Sequence, residues 1–368
     1  MTTDDRRTPF KRSNVQTFER SNVGWWSVVL LGAALLLGAA LRLYRLDAQR
    51  LWLDELYTVL LVRGGLPLVW SNSLIDSMPP LANAFFWLGA QIGGDSAVSL
   101  RMVSALAAIA VLPVYYRSCT LAADRWTALL ATGLLAIAPL AVYYAQEARP
   151  YALPLLGLVL THLFYERLRR RGSRLDWALY ALLAAVAAQL QYVNIVLIAA
   201  QMLALLVLSR ERRRVLLGGA AVALAIAVTV LPFAISTLRA GIVRGGWNGT
   251  LALSSVSMLQ TLLAGDTRIA GEVVRQVALA TVLIGCALAA LNRSVWPGLL
   301  AHILQIVVLL LIICVALPVL GHPAPAYDER VVVLLLPSVL LCFSVGVRWL
   351  TYRRLAWPLA IALILALC

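Results

Sequence analysis

Asp54 and Glu55 stand side by side in the run Trp52-Leu53-Asp54-Glu55-Leu56-Tyr57, a few residues beyond the first long apolar segment. Two adjacent carboxylates can divide labour, one taking a proton while the other orients a group or ligates a metal. The same pair also suits the solvated face of an amphipathic surface helix. Its meaning therefore depends on what stands around it.

Four other stretches carry polar groups between apolar segments. Asp76-Ser77-Met78-Pro79-Pro80-Leu81 contains a diproline that stiffens a turn and starts a helix. Arg101 opens a long apolar run in Leu100-Arg101-Met102-Val103-Ser104-Ala105. Tyr143 to Leu153 packs Gln146, Glu147, Arg149 and the tyrosines 143, 144 and 151 into one short connection. His322 to Arg330 precedes another apolar run, and places Arg330 at its edge. Charged groups at the edge of a bilayer are costly and default to functional candidates. Arginine suits phosphate, because its fork donates two parallel hydrogen bonds and stays charged.

The elements that must position these groups follow from composition. The chain has 368 residues, 62% of them hydrophobic, with mean hydropathy +0.86. Apolar runs near or above the length that crosses a bilayer recur throughout, which predicts an all-α polytopic membrane protein. The net charge of +14 fits arginine-rich cytoplasmic loops under the positive-inside rule, not nucleic-acid binding. Cys119, Cys286, Cys314, Cys342 and Cys368 lie in or beside apolar segments and form no metal-binding spacing. His162 and His302 fall within spans, near their cytoplasmic ends, and read as satisfied helix residues; His322 alone is placed to ligate a metal. No Walker A motif, dinucleotide fingerprint or HExxH occurs.

Residues 1–23 read as a disordered cytoplasmic tail, and 24–368 as one transmembrane domain. Basic loops at Arg117/Arg125, Glu166–Arg174, Arg210–Arg214, Arg293 and Arg348–Arg354 serve as cytoplasmic anchors. Their parity makes 44–100 one long outer loop carrying juxtamembrane helices near 52–63 and 80–92. About 11 spans follow, at 24–43, 101–117, 127–145, 151–165, 176–190, 194–209, 215–235, 275–291, 299–320, 331–347 and 356–368. The last is short for a span. The loop of about 236–274, with Arg239, Arg244 and Trp247, reads as a flap.

In this order the motifs resemble the GT-C glycosyltransferases, in the branch of the protein O-mannosyltransferases and the lipid A aminoarabinose transferase. The residues that carry the likeness are Asp54-Glu55, Met78-Pro79-Pro80-Leu81, Arg101-Met102-Val103-Ser104-Ala105, Gln146-Glu147-Ala148-Arg149-Pro150-Tyr151 and Arg330-Val331 ahead of Pro337. Met78 stands where that family commonly has histidine, Val331 where it has tyrosine, and Gln191-Tyr192 where many members have histidine-tyrosine. No counterpart is expected here of the soluble region that often follows the last spans in that family.

The resemblance implies transfer of a sugar from a polyprenyl-phosphate donor to an acceptor hydroxyl on a lipid, glycan or protein, with inversion. It implies a multi-pass protein of the plasma membrane, N-terminus cytoplasmic and site extracytoplasmic. Asp54 is then the base. Arg101, Arg149 and Arg330 face the donor phosphate. Glu55 and Glu147 position sugar or acceptor or hold a divalent metal, whose requirement stays open. Tyr57, Gln146 and Tyr151 line the substrate. The alternatives are a lipid or polysaccharide transporter, a polysaccharide polymerase or ligase, and an inactive truncated relative acting as a partner subunit. A transporter would carry polar residues deep within its spans, whereas most spans here read as Ala/Leu/Val.

Overall fold

The computed structural model describes residues 24–73, 78–239, 272–312 and 332–352. Among them every regular element is helical. The chain enters through α1 (Trp25–Leu43), whose first two tryptophans stack at 3.6 Å, an aromatic anchor of the kind found at membrane interfaces. Three short helices follow: α2 (Leu53–Arg63), α3 (Gly65–Ser73) and α4 (Pro80–Gly93). Two match the juxtamembrane helices the sequence predicts. Pro79-Pro80 starts α4 as expected, because proline at the first helical position forfeits only an N–H that lacks a partner anyway. The third, α3, falls where no helix is predicted; its Trp70 packs edge-on against Phe233 at 4.8 Å.

The bundle continues with α5 (Ala97–Ala122), α6 (Arg125–Ile137), α7 (Pro139–Ala145), α8 (Ala152–Arg170), α9 (Arg174–Leu190), α10 (Val193–Leu208) and α11 (Arg212–Arg239). It closes with α12 (Glu272–Leu291), α13 (Trp296–Leu311) and α14 (Leu336–Tyr352), the last two each entered by a short 3-10 turn. Over their described residues, which stop at 312 in the span predicted at 299–320 and start at 332 in that at 331–347, the first ten predicted spans coincide with helix. The eleventh, at 356–368, lies outside the described residues, as do the 1–23 tail and most of the 236–274 loop. Among the described residues five helices are long and apolar enough to cross a bilayer alone, and six if α6 and α7 form one span. The others fall short for visible reasons. α9 and α10 have 17 and 16 residues, and α8 carries Glu166, Arg167 and Arg169.

The span predicted at 127–145 is not one straight helix. It bends by 56° between α6 and α7. Pro139 has no N–H to continue the ladder, and the last carbonyls of α6 are left without intrahelical donors. Arg42, buried at the end of α1, supplies them: Nη1 donates to Ala136 O at 2.8 Å and Nη2 to Leu135 O at 3.0 Å.

The two ends of the bundle differ. At one end Arg169 and Arg170 donate to Leu121 O, and Arg348 lies 3.7 Å from Asp124, so the basic loops gather there. Arg101 sits twenty positions back along α5, about 30 Å away at 1.5 Å per residue. The predicted separation of the basic loops from Asp54 is thus a property of the fold.

The interior is not purely aliphatic, contrary to the impression of clean spans. Tyr180 donates to Gln201 Oε1 at 2.6 Å, and Gln201 to Thr161 at 3.1 Å. His162 Nε2 and Gln305 Oε1 are 2.8 Å apart, Ser338 donates to Gln305 Oε1, and His302 Nδ1 meets Ser338 Oγ at 2.9 Å. The two histidine rings touch edge-on at 4.6 Å. These bonds tie α8, α9, α10, α13 and α14 together, the role polar groups take between helices in lipid. Aliphatic composition hid them, because one polar residue per helix barely lowers a helix's hydropathy.

α12 and α14 meet at glycines. A Cβ on Gly346 would stand 1.8 Å from the backbone oxygen of Gly285. A backbone atom cannot swing aside as a side chain can, so the helices would have to separate. Gly346→Ala is expected to cost about 1–3 kcal/mol as an overpacking change, read as a lower midpoint in detergent-induced unfolding. An unchanged midpoint would mean the crossing is looser than described.

Candidate active site

The first turn of α2 positions the acidic pair. Trp52 is the N-cap, and its backbone N–H donates to Glu55 Oε2 at 3.4 Å, half of a capping box. Neighbouring residues on a helix diverge by about 100°, so the pair does not act as a unit. Glu55 points inward and is fully buried, while Asp54 is half-buried.

Glu55 is saturated. Its Oε1 accepts from Arg101 Nε and from the backbone N–H of Ala148, both at 2.8 Å. Its Oε2 accepts from Arg101 Nη2 at 2.7 Å as well as from Trp52. A carboxylate offers about four lone-pair sites, and all are occupied. Arg101 is saturated in turn. Beyond its fork on Glu55, Nη1 donates to Leu46 O at 2.7 Å and Gln49 O at 2.9 Å, and Nη2 to Arg50 O at 3.4 Å. All five of its N–H groups therefore have acceptors. Both residues are expected at the substrate, and in this structure the donors of Arg101 and the lone pairs of Glu55 are engaged by protein groups. Together they brace the outer loop, α5 and the 146–151 turn.

That turn delivers Arg149 to Asp54. Arg149 Nη1 donates to the Asp54 backbone oxygen at 3.3 Å, and Ser104 Oγ and the Tyr151 N–H both donate to Arg149 O. Arg149 Nε is buried with no hydrogen-bond partner among the described residues. Glu147 is buried close to Arg101 and adds a second carboxylate to its surroundings.

The remaining candidates scatter. Gln146 Nε2 donates to Leu41 O at 2.7 Å and Tyr44 O at 3.0 Å, covering the end of α1. Its amide nitrogen thus caps that helix end. Tyr57 donates to Asn72 Oδ1 at 2.6 Å, on α3. Tyr151 is buried edge-on against Tyr144 at 4.7 Å, in a crevice with Arg42 and Val333. Arg330 lies outside the described residues, with His322. Arg63 bonds Asp95 nearby and holds its carboxyl below the usual range, but this exposed pair contributes little to stability. Among the described residues no group of three or more histidines, cysteines or carboxylates could hold a metal.

Sequence reasoning missed Arg42. The signal was present, an arginine inside an otherwise apolar 19-residue helix, and such residues are rare enough in spans to need a partner.

Comparison with known proteins agrees with this architecture. Residues 77–235 match the family model described as dolichyl-phosphate-mannose-protein mannosyltransferase. No curated protein matches the sequence. The structure is similar to that of ArnT from Cupriavidus metallidurans bound to undecaprenyl phosphate, with a TM-score of 0.64 at 14% identity, over 92% of this chain and 62% of that one. It is also similar to the oligosaccharyltransferase AglB from Archaeoglobus fulgidus in complex with an inhibitory peptide and a dolichol-phosphate. There the TM-score is 0.56 at 13% identity, over 93% of this chain and 54% of that one. The chain therefore spans about half to three-fifths of the length of these structures. Residues 77–235 thus resemble a mannosyltransferase family model, and the chain shares the helical fold of these two structures.

Proposed function

We propose that the chain transfers a sugar from a polyprenyl-phosphate donor to an acceptor hydroxyl, at the end of the bundle that carries Asp54 and Arg149. The observation that carries this reading is their adjacency, with Arg149 held on the Asp54 backbone while the neighbouring Glu55–Arg101 pair is fully occupied. The family model and the lipid-phosphate ligands named for the two similar structures support the donor class.

In this mechanism Asp54 takes the proton of the acceptor hydroxyl as its oxygen attacks the anomeric carbon. The bond from that carbon to the phosphate oxygen breaks, and polyprenyl phosphate leaves with the electron pair. Arg149 neutralises the charge that develops there, a task its unpartnered Nε suits. Attack opposite the leaving group inverts the anomeric configuration. Arg330 is proposed as the second phosphate ligand, and Tyr57 and Tyr151 as groups near the sugar. The site faces the extracytoplasmic side of the plasma membrane in this reading, with the basic loops inside.

The test is a transfer assay with a polyprenyl-phosphate sugar and purified chain in lipid. Arg149→Ala is expected to lower turnover about 10²–10³-fold, the size of losing one donor aimed at developing charge, with unchanged thermal stability. Full turnover in that variant would remove Arg149 from the mechanism.

The polar network within the bundle is the one observation that favours a transporter. Its members His162, Gln201, His302, Gln305 and Ser338 are each at most 1% exposed and bonded within the network. A transport path needs polar groups facing water, so the network supports a packing role instead.

A further inference from the structure

The end of the bundle opposite Asp54 carries a feature that sugar transfer does not use. α9 begins at Arg174 and α11 at Arg212, and the two starts lie side by side, with Arg214 Nη2 donating to Gly172 O. A groove runs between them, lined by Trp177, Glu211, Arg213, Arg214, Leu217 and Gly218. Gly218 makes its floor. A Cβ there would stand 2.4 Å from Trp177 Cζ3, so the indole lies directly on the backbone of α11. Leu217 adds an apolar wall that is 64% exposed.

The rim is cationic. Arg171, Arg174, Arg210, Arg212 and Arg213 are all exposed, and none forms an ion pair with a carboxylate among the described residues. Two acids lie close by, and both are engaged. Glu211 lies 3.5 Å from Arg214, and Asp176 accepts from Arg167 and Ser173. Among the described residues, no carboxylate pairs with these five arginines on the rim.

We infer that this groove binds an anionic phospholipid, with an acyl chain along Trp177 and Leu217 and its phosphate against Arg213 and its neighbours. The combination selects the occupant. An apolar trough that ends at a ring of arginines matches the two parts of a lipid, and basic pockets between transmembrane helices are a known way of holding such headgroups. A nucleic acid or acidic peptide would satisfy the rim and leave the apolar trough facing water. The donor's polyprenyl phosphate is a poor occupant as well, because the acidic pair and Arg149 lie at the other end of α8 and α9. Asn194, at the far tip of the α9–α10 hairpin, bonds Pro154 O beside that site.

The experiment is lipid retention by the full chain, measured by native mass spectrometry after exchange into detergent with equal phosphatidylglycerol and phosphatidylcholine. The wild-type chain is expected to retain phosphatidylglycerol preferentially, and raising the salt before exchange should erase the preference. Arg174→Ala with Arg213→Ala should lower phosphatidylglycerol retention about 25-fold, near fivefold for each arginine, whereas lysine at both positions should keep it. Trp177→Ala should weaken retention of both lipids, and Asp54→Asn should change neither. Equal retention of the two lipids by the wild-type chain would overturn the assignment. So would undiminished phosphatidylglycerol retention by the double alanine variant.

Discussion

Asp54→Asn is expected to lower sugar transfer by about 10²–10⁴, the range that a positioned general base contributes, and to leave the fold intact. Asparagine has the size of aspartate and keeps a side-chain oxygen in the first turn of α2. It cannot take the acceptor's proton. The stability side of the expectation rests on geometry. The geometry of α2 against α5 and the 146–151 turn centres on Glu55, which bonds Arg101 and the Ala148 amide. Turnover and unfolding should therefore separate cleanly. Loss of transfer with an unchanged unfolding midpoint supports the assignment, and full turnover refutes it. Donor binding should persist, since Arg149 is untouched. If binding vanished with turnover, Asp54 would be organising the donor rather than deprotonating the acceptor.

Arg101→Ala is expected to act in the opposite way, through the fold. It would leave the Glu55 carboxylate buried with only the Trp52 and Ala148 amides, and would free three loop carbonyls, at Leu46, Gln49 and Arg50. Breaking a buried pair by removing one partner costs about 3–5 kcal/mol, a large part of the stability of an ordinary domain. Lysine should not rescue it, because three donors on a point charge cannot reach five acceptors laid out for a planar fork. The measurement is the unfolding midpoint of Arg101→Ala and Arg101→Lys, together with proteolysis of the 44–97 segment. An Arg101→Lys protein as stable as wild type would show that charge alone, not the fork, matters there. A stable, folded Arg101→Ala that had lost only donor binding would instead place Arg101 at the phosphate.

The motif order placed the candidate site in the sequence but could not divide its labour. Asp54 and Glu55 are equal on paper. The capping geometry of α2 turns one outward and buries the other, and that depends on Arg101 and Ala148, 46 and 93 residues away in the chain. Arg101 and Arg149 likewise read as two phosphate ligands until the acceptors around each are counted. Most helices were legible because a bilayer demands long apolar runs. The break at Pro139 was not, since an apolar run stays apolar across a bend and the compensating donor, Arg42, comes from another helix. The interior polar network escaped for a related reason. Single glutamines and histidines look incidental until the packing brings them into register.

Arg42 and Gln146 form a reciprocal clasp: the first, on α1, closes the end of α6, and the second, after α7, closes the end of α1. The clasp has a consequence for biosynthesis. Arg42 leaves the ribosome 94 residues before Ala136, an interval of about 5–20 s at ordinary elongation rates. During that time the guanidinium has only the Gly38 carbonyl of its own helix to meet, and the carbonyls at the end of that helix lack Gln146. Its final depth in the bilayer cannot be fixed until α6 and α7 arrive, so the opening segment of this chain is threaded early and seated late.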